Sequence, residues 1–166
     1  IGSTIENLRP TVTTGTMFGD TAPTSTLFSL GNAGETNATG RTYIAYVFAE
    51  VQGYSKMGAY EGTGDADGPF VYTGMRPAWV MIKRWDLADN WMLFDSKREG
   101  FNPDNDVLLP NDTATETTTD YIDILSNGFK LRSADAAVNA SAGDYTFMAF
   151  AESPLVNSEG APTNAR

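Results

Sequence analysis

The chain has 166 residues, of which 21 are acidic and 11 basic, for a formal net charge of -10, and it contains neither cysteine nor histidine. Its charge repels nucleic-acid phosphates and anionic headgroups, so nucleic acid is not an expected partner. The missing residue types exclude disulfides, zinc sites, cysteine nucleophiles and serine–histidine triads within the chain, and would leave only a hard, oxygen-liganded metal ion. No cofactor is expected. No apolar run approaches the roughly 20 residues of a membrane-spanning helix, so membrane insertion is not expected either. A chain with 41% hydrophobic residues can bury a real core, and one of this length hides about 70% of its unfolded surface. Opening on Ile1 rather than methionine, it is expected to be a piece of something longer.

In chain order, short runs rich in Val, Ile, Phe, Tyr and Trp alternate with Gly, Pro, Asn, Asp, Ser and Thr clusters. The runs are YIAYVFAEV, FVYTG, AWVMIKRW, WMLFDS, GFKLRS and YTFMAFAE, a pattern that predicts an all-β sandwich or jelly roll. Only DLADNWMLFDSKR carries a helical spacing, through Leu87, Trp91 and Phe94. The turn-forming Asp89-Asn90 ahead of WMLF favours a strand there.

The stretch NATGRTYIAYVFAE (residues 37–50) returns 102 positions later as NASAGDYTFMAFAE (residues 139–152), with six identities in fourteen. Upstream, LFSLG (residues 27–31) resembles GFKLR (residues 128–132) with one residue of slip. An even offset preserves strand parity, so matching side chains point to matching faces. Both copies are apolar on both faces, with Tyr43, Ala45 and Val47 on one side and Ile44, Tyr46 and Phe48 on the other. Such strands are expected to be central and covered on both sides. Residues 1–52 are therefore expected to be the closing strands of a preceding β module, residues 53–152 a complete antiparallel β-sandwich or jelly-roll-like module, and residues 153–166 an irregular tail.

Gly64-Asp65-Ala66-Asp67-Gly68 has the outline of a calcium loop but lacks a following bidentate Glu. A tight turn leading into FVYT is the preferred reading of Asp65 and Asp67, and no metal site is expected. Asp104-Asn105-Asp106 is likewise read as an acidic turn. Asn37, Asn111 and Asn139 head formal glycosylation sequons that also suit side-chain-to-backbone turns. Arg76 is expected to pair with a neighbouring acid, while Val80 and Ile82 enter the core. Trp79, Trp85 and Tyr60 are the candidate sugar-stacking residues, with Trp91 and Tyr72 behind them, because an aromatic face is apolar and its edge can donate a hydrogen bond. Core packing is the preferred reading of each of them, because aromatics supply most of a β-sandwich interior. Glycan hydrolysis would need two carboxylates across a cleft, and the natural candidates, Glu50 and Glu152, hold equivalent places in separate repeats. No catalytic residue is expected.

The strings GYSKMGAYEGTGDADGPFVYTGMRPAWVMIKR, WMLFDSKR, ILSNGFKLRS, NASAGDYTFMAFAESP and NSEGAPTNAR resemble a poorly characterised family of tailed-phage virion proteins, especially marine ones. The likeness covers essentially the whole chain. It implies tandem modules near the carboxyl end of a long chain, a tail-fibre-like or other virion-surface location, and no catalytic set. It also implies partners of three kinds: copies of the chain itself, as a trimer; other virion proteins; and cell-surface glycan. The resulting expectation is a non-enzymatic structural protein. Its alternatives are a capsid-exterior decoration protein or the carbohydrate-binding module of a secreted cellular protein.

Overall fold

The computed structural model describes Gly19, residues 21–98, Asn102 and residues 104–153. The chain divides into two compact units, Ile1–Phe48 with Trp85–Ala88, and Ala49–Arg84 with Asp89–Arg166. Among the described residues no helix is long and apolar enough to cross a membrane.

The larger unit is an all-β sandwich. Its strands are β1 (Ser55–Glu61), β2 (Phe70–Tyr72), β3 (Pro77–Arg84), β4 (Trp91–Asp95), β5 (Asp104–Val107), β6 (Thr117–Leu125), β7 (Gly128–Leu131) and β8 (Asp144–Ala151). They form two four-stranded sheets, sheet A in the order β1-β8-β3-β4 and sheet B in the order β2-β7-β6-β5. Every pairing is antiparallel. The nested pairings β1·β8 and β2·β7 give the jelly-roll-like part, while β3·β4, β5·β6 and β6·β7 are consecutive hairpins. The β6·β7 hairpin is the tightest, because Leu125 faces Gly128 with only Ser126 and Asn127 between them.

Alternation within the strands builds the core. Sheet A sends in Val80, Ile82, Met92, Phe94, Tyr145, Phe147 and Ala149, and sheet B answers with Val71, Val107, Ile122, Ile124, Phe129 and Leu131. Each fully buried large side chain contributes about 1.5–3 kcal/mol. Phe129 lies edge-on to Phe147 at 5.4 Å and to Tyr60 at 6.2 Å, joining the two sheets through aromatic contacts. Val80 and Ile82 are core residues as expected, and WMLF is strand β4 rather than helix.

Two expectations are corrected. Asp104-Asn105-Asp106 is not a turn but the start of β5, held against β6 across a register shift between Asp104 and Asp106. More consequentially, residues 41–50 form no strand and every one of them is exposed, with Ile44 at 82% and Tyr46 at 81%. The central, doubly covered strand expected there is absent because a strand requires a neighbour for its peptide groups; no described strand pairs with it. LFSLG (residues 27–31) also forms no strand. The smaller unit instead contributes one helical turn, α1 (Gly34–Asn37), and the larger unit carries a second, α2 (Ala136–Asn139). Most of the expected tail lies outside the described residues.

At the end of β4, the Asp95 carboxylate accepts hydrogen bonds from the backbone N–H groups of Lys97 and Arg98 at 2.9 and 3.0 Å and pairs with the Arg98 guanidinium at 2.5 Å. Arg98 also bridges to Glu116 and donates to the Leu93 carbonyl. Partial burial raises the Asp95 carboxyl, but these donors outweigh it and hold the group below its ordinary value.

A Cβ at Gly128 would stand 2.1 Å from the Val71 carbonyl oxygen, a backbone atom that cannot swing away. Gly128→Ala is expected to cost about 3 kcal/mol and to lower the melting temperature by roughly 10–20 °C, read by calorimetry. Because the folded Asp95 carboxyl is depressed, its contribution is fully present above the unfolded value near pH 4 and is lost as pH falls through the folded one. Denaturant titrations from pH 6 to pH 2 should show a smaller acid-dependent loss of stability in Asp95→Asn than in the native chain.

Candidate functional site

Two regions of the larger unit stand out, one for its polar order and one for its half-buried apolar side chains. The first is the turn at α2. Asp135 caps the helical turn by accepting from the Ala137 N–H at 2.8 Å. Asn139 at its end is fully buried, and its side chain is a hub. Its Nδ2 donates to the carbonyls of Asp65 and Ser133 at 2.7 and 2.9 Å, and its Oδ1 accepts from the Thr63 N–H at 2.8 Å. The Asn139 backbone carbonyl accepts from Gly64 N–H at 2.9 Å. The GTGDADG loop is thus fastened to α2 through one amide group, and Asn139 is structural rather than a glycan acceptor. Beside it, the Tyr145 hydroxyl donates to the Ala136 carbonyl and accepts from Ala140 N–H, both at 2.7 Å. Tyr60 stacks on Tyr145 at 5.0 Å, with Arg84 over the Tyr145 ring on β3.

Within the same loop, Asp65 Oδ1 accepts from Asp67 N–H at 2.9 Å, closing a local turn in which Gly64 takes a positive φ of 71°. The Asp67 carboxylate faces Lys130 at 2.9 Å and Arg132 at 3.4 Å, and Arg132 reaches Asp123 at 3.0 Å. The Lys130 hydrogen bond and charge lower the Asp67 carboxyl. Two basic groups stand where a calcium ion would have to bind, so the donor set does not fit a cation. Among the described residues no group of three or more acids or other ligand types could hold a metal. The depression lined by Ala66, Asp67, Asp120 and Arg132 is open to solvent.

The second region is the outward face of sheet A. Its register places Met57, Met148, Met81 and Leu93 in one row across all four strands. The next row sets Phe150 beside Trp79, with ring centres 5.4 Å apart, and Tyr54 meets the same Phe150 ring edge-on at 5.9 Å. These side chains, Tyr54 apart, are half-buried. Sheet A therefore carries an apolar strip across the middle of its outer face, bordered by Thr146 and Lys83 in the row on one side and by Ser55 and Asp95 in the Trp79–Phe150 row on the other. Sheet B differs, because its central strands turn Asp123 and Lys130 outward into the ion-pair chain just described.

The aromatic candidates are scattered across these settings. Trp79 belongs to the outer cluster of sheet A. Tyr60 is engaged with Tyr145, and its hydroxyl donates to the Val138 carbonyl at 2.7 Å. Burial, with the neighbouring Tyr145 phenol, pushes the Tyr60 hydroxyl well above its ordinary value. Trp85 is half-buried, with its indole N–H buried and without a hydrogen-bond partner among the described residues. Trp91 is half-buried on β4, where its backbone N–H donates to Asn111 Oδ1 at 2.7 Å. Tyr72, 64% exposed on edge strand β2 beside Phe70, is the most open of the five. Trp85 belongs to the smaller unit, and the four candidates of the larger unit lie on different strands and share no ring contact with one another among the described residues.

Nor does it pair the candidate acids. Glu50 binds Lys56 at 2.9 Å, whereas Glu152 binds Arg76 at 2.9 Å and Lys97 at 3.6 Å. Arg76 thus meets the neighbouring acid expected of it. Each carboxylate is held by its own basic groups, one for Glu50 and two for Glu152, an arrangement that anchors strand ends.

Asn139→Ala would strand the Thr63 N–H and the Asp65 and Ser133 carbonyls without their partner. It is expected to cost about 3–5 kcal/mol in urea unfolding. The repeat-equivalent Asn37 is exposed, and Asn37→Ala should cost less than about 1 kcal/mol.

Comparison with known proteins adds a family and nothing finer. No curated protein and no solved structure matches the chain. Residues 4–154 match the family described as Domain of unknown function (DUF7483), a span that takes in both copies of the repeated motif. By that match the chain belongs to this family of domains of unknown function.

Proposed function

We propose that the chain is a non-enzymatic structural module of a virion surface appendage, tail-fibre-like in character, working by packing and display. The observation that carries this reading is the asymmetry of the sandwich. Sheet B turns the Asp123, Lys130 and Arg132 ion pairs outward at its centre, beside the exposed Phe70 and Tyr72, while the centre of sheet A is apolar on both faces, through the row of Met57, Met148, Met81 and Leu93 and the Trp79–Phe150 pair. We read this apolar strip as an association surface, and methionine suits it because its flexible thioether adapts to a partner. Repetition of such modules would turn weak individual contacts into avidity without new chemistry.

The resemblance to tailed-phage virion proteins supports the setting, with location on the virion surface, outside the cell, and with other virion proteins and further copies of the chain as partners. Homotrimers are the expected state of such fibres. The candidate acids support the absence of hydrolysis, since Glu50 and Glu152 are each tied to a different basic group. Contact with host-surface glycan would run through exposed aromatic groups such as Tyr72 and Phe70 on β2.

Sedimentation velocity tests the association. The native chain is expected to form a discrete oligomer whose population rises with concentration. Met148→Glu, in the centre of the outer row, should shift it to monomer by at least about tenfold in the association constant, with an unchanged far-ultraviolet dichroism spectrum. A native chain that remains monomeric at high concentration would remove the reading.

A further inference from the structure

The repeated motif is reproduced in three dimensions, atom by atom, at the same 102-residue offset. Backbone N–H groups of Thr36 and Asn37 donate to the Ala33 carbonyl at 3.1 and 2.8 Å, and those of Val138 and Asn139 donate to the Asp135 carbonyl at 3.1 and 2.8 Å. Asn37 Nδ2 donates to the Gly31 carbonyl at 2.8 Å, as Asn139 Nδ2 does to Ser133 at 2.9 Å. The Tyr43 hydroxyl donates to the Gly34 carbonyl at 2.7 Å and accepts from Ala38 N–H at 2.8 Å, the same clasp that Tyr145 makes. Gly40 and Ala142 both take positive φ, at 76° and 55°.

Beyond the clasp the two copies part. Residues 144–151 are β8, paired on one edge with β1 and on the other with β3. Residues 42–49 have the corresponding sequence and no strand. Tyr145 and Ala149 are fully buried, whereas Tyr43 is 41% and Val47 75% exposed. Asn139 holds the 63–65 loop and is fully buried; Asn37 makes the local bond and stands in solvent. The same sequence motif folds its local part in both places, and among the described residues no strand pairs with the first copy.

We infer that residues 43–49 are a strand-docking surface, whose occupant is a pair of antiparallel strands of β1 and β3 chemistry from a preceding repeat of the same polypeptide. The offset identifies the occupant. Segments equivalent to β1 and β3 would stand 102 positions before them, ahead of Ile1. Even parity then sends Tyr43, Ala45 and Val47 inward, in the places of Tyr145, Phe147 and Ala149. The local clasp supports a docked role, since it presets the entry to the strand before any partner arrives and lowers the ordering cost of pairing. A second copy of the chain is the poorer occupant, because its own β8 already fills the position between β1 and β3. This inference does not rest on the proposed virion role.

The test inserts a second copy of residues 53–132 between Leu30 and Gly31 of the full chain, which restores the native spacing from Arg132 to the clasp. Amide hydrogen exchange is followed by mass spectrometry at a concentration where the protein is monomeric. In the unmodified chain, amides 43–49 are expected to exchange at nearly unprotected rates. In the insertion variant they should slow by on the order of 10³-fold, toward the rates of β8. One alanine added after Thr42 in that variant, which reverses the parity, should abolish the gain. Unprotected amides 43–49 in the insertion variant overturn the inference, whether or not the inserted strands fold. Protection of these amides in the unmodified chain also overturns it: in the monomer it shows an occupant within this chain, and with a concentration-dependent dimer it makes a second copy the occupant.

Discussion

A strand at the centre of a sheet must satisfy its peptide groups on both edges, and the architecture of the larger unit depends on how β8 meets that requirement. Between β1 and β3, β8 has neighbours on both sides along nearly its whole length, and a buried N–H or C=O left unpaired would cost about 1–3 kcal/mol. The turn at α2 delivers the chain into that slot. Its Tyr145 clasp fixes where the strand begins, and Asn139 ties the loop that follows β1 to the same point. Strand entry and loop anchorage are therefore one hydrogen-bonded unit. The aromatic stack of Tyr60 on Tyr145 closes it against the core.

Because sheet A is organised around β8, the composition of that strand decides the character of both faces of the sheet. Its inward residues, Tyr145, Phe147 and Ala149, are matched in size to their neighbours. Phe147 occupies the space that a side chain at Gly58 would fill, since a Cβ there would lie 2.8 Å from its ring. Of its outward residues, Met148 lies between Met57 and Met81 and Phe150 lies beside Trp79, while Thr146 faces Lys83. Sheet B shows what a solvated outer face looks like in the same protein, with Asp67, Asp123, Lys130 and Arg132 linked in sequence. The contrast belongs to the sequence, since Met and Phe hold at the centre of one sheet the outward positions that Asp and Lys hold at the centre of the other.

Much of this was legible in the residues, and the exceptions have physical causes. FVY, PAWVMIKR, WMLFD, GFKL and DYTFMAFA are β-branched or aromatic and alternate, so their own pattern announces β2, β3, β4, β7 and β8. SKMGAYE does not, because Gly58 and Ala59 are poor strand formers; β1 exists through its pairing with β8 and the room Gly58 leaves for Phe147. DNDV reads as a turn from its Asp and Asn content, and becomes β5 only beside β6. The β-branched run TTTDYIDIL carried a signal for β6 that its polar first half obscured. For Asn139, the sequon was visible but the burial was not, since which loop would cover the amide depends on the sheet arrangement.

The opposite error, at residues 43–50, is the more instructive. YIAYVFAE carries as strong a β pattern as any segment here, and its clasp forms with the geometry of its successful twin. Hydrogen bonds within a few residues are encoded locally and appear in both copies. Pairing is a relation between segments, and propensity cannot supply the second member. A strand's sequence thus records the environment for which it is suited, including neighbours that stand elsewhere. An exposed, two-sided apolar stretch such as this would ordinarily be an aggregation hazard. Its near-copy at β8 shows the environment that suits such a sequence, with one strand on each edge and a packed core beneath.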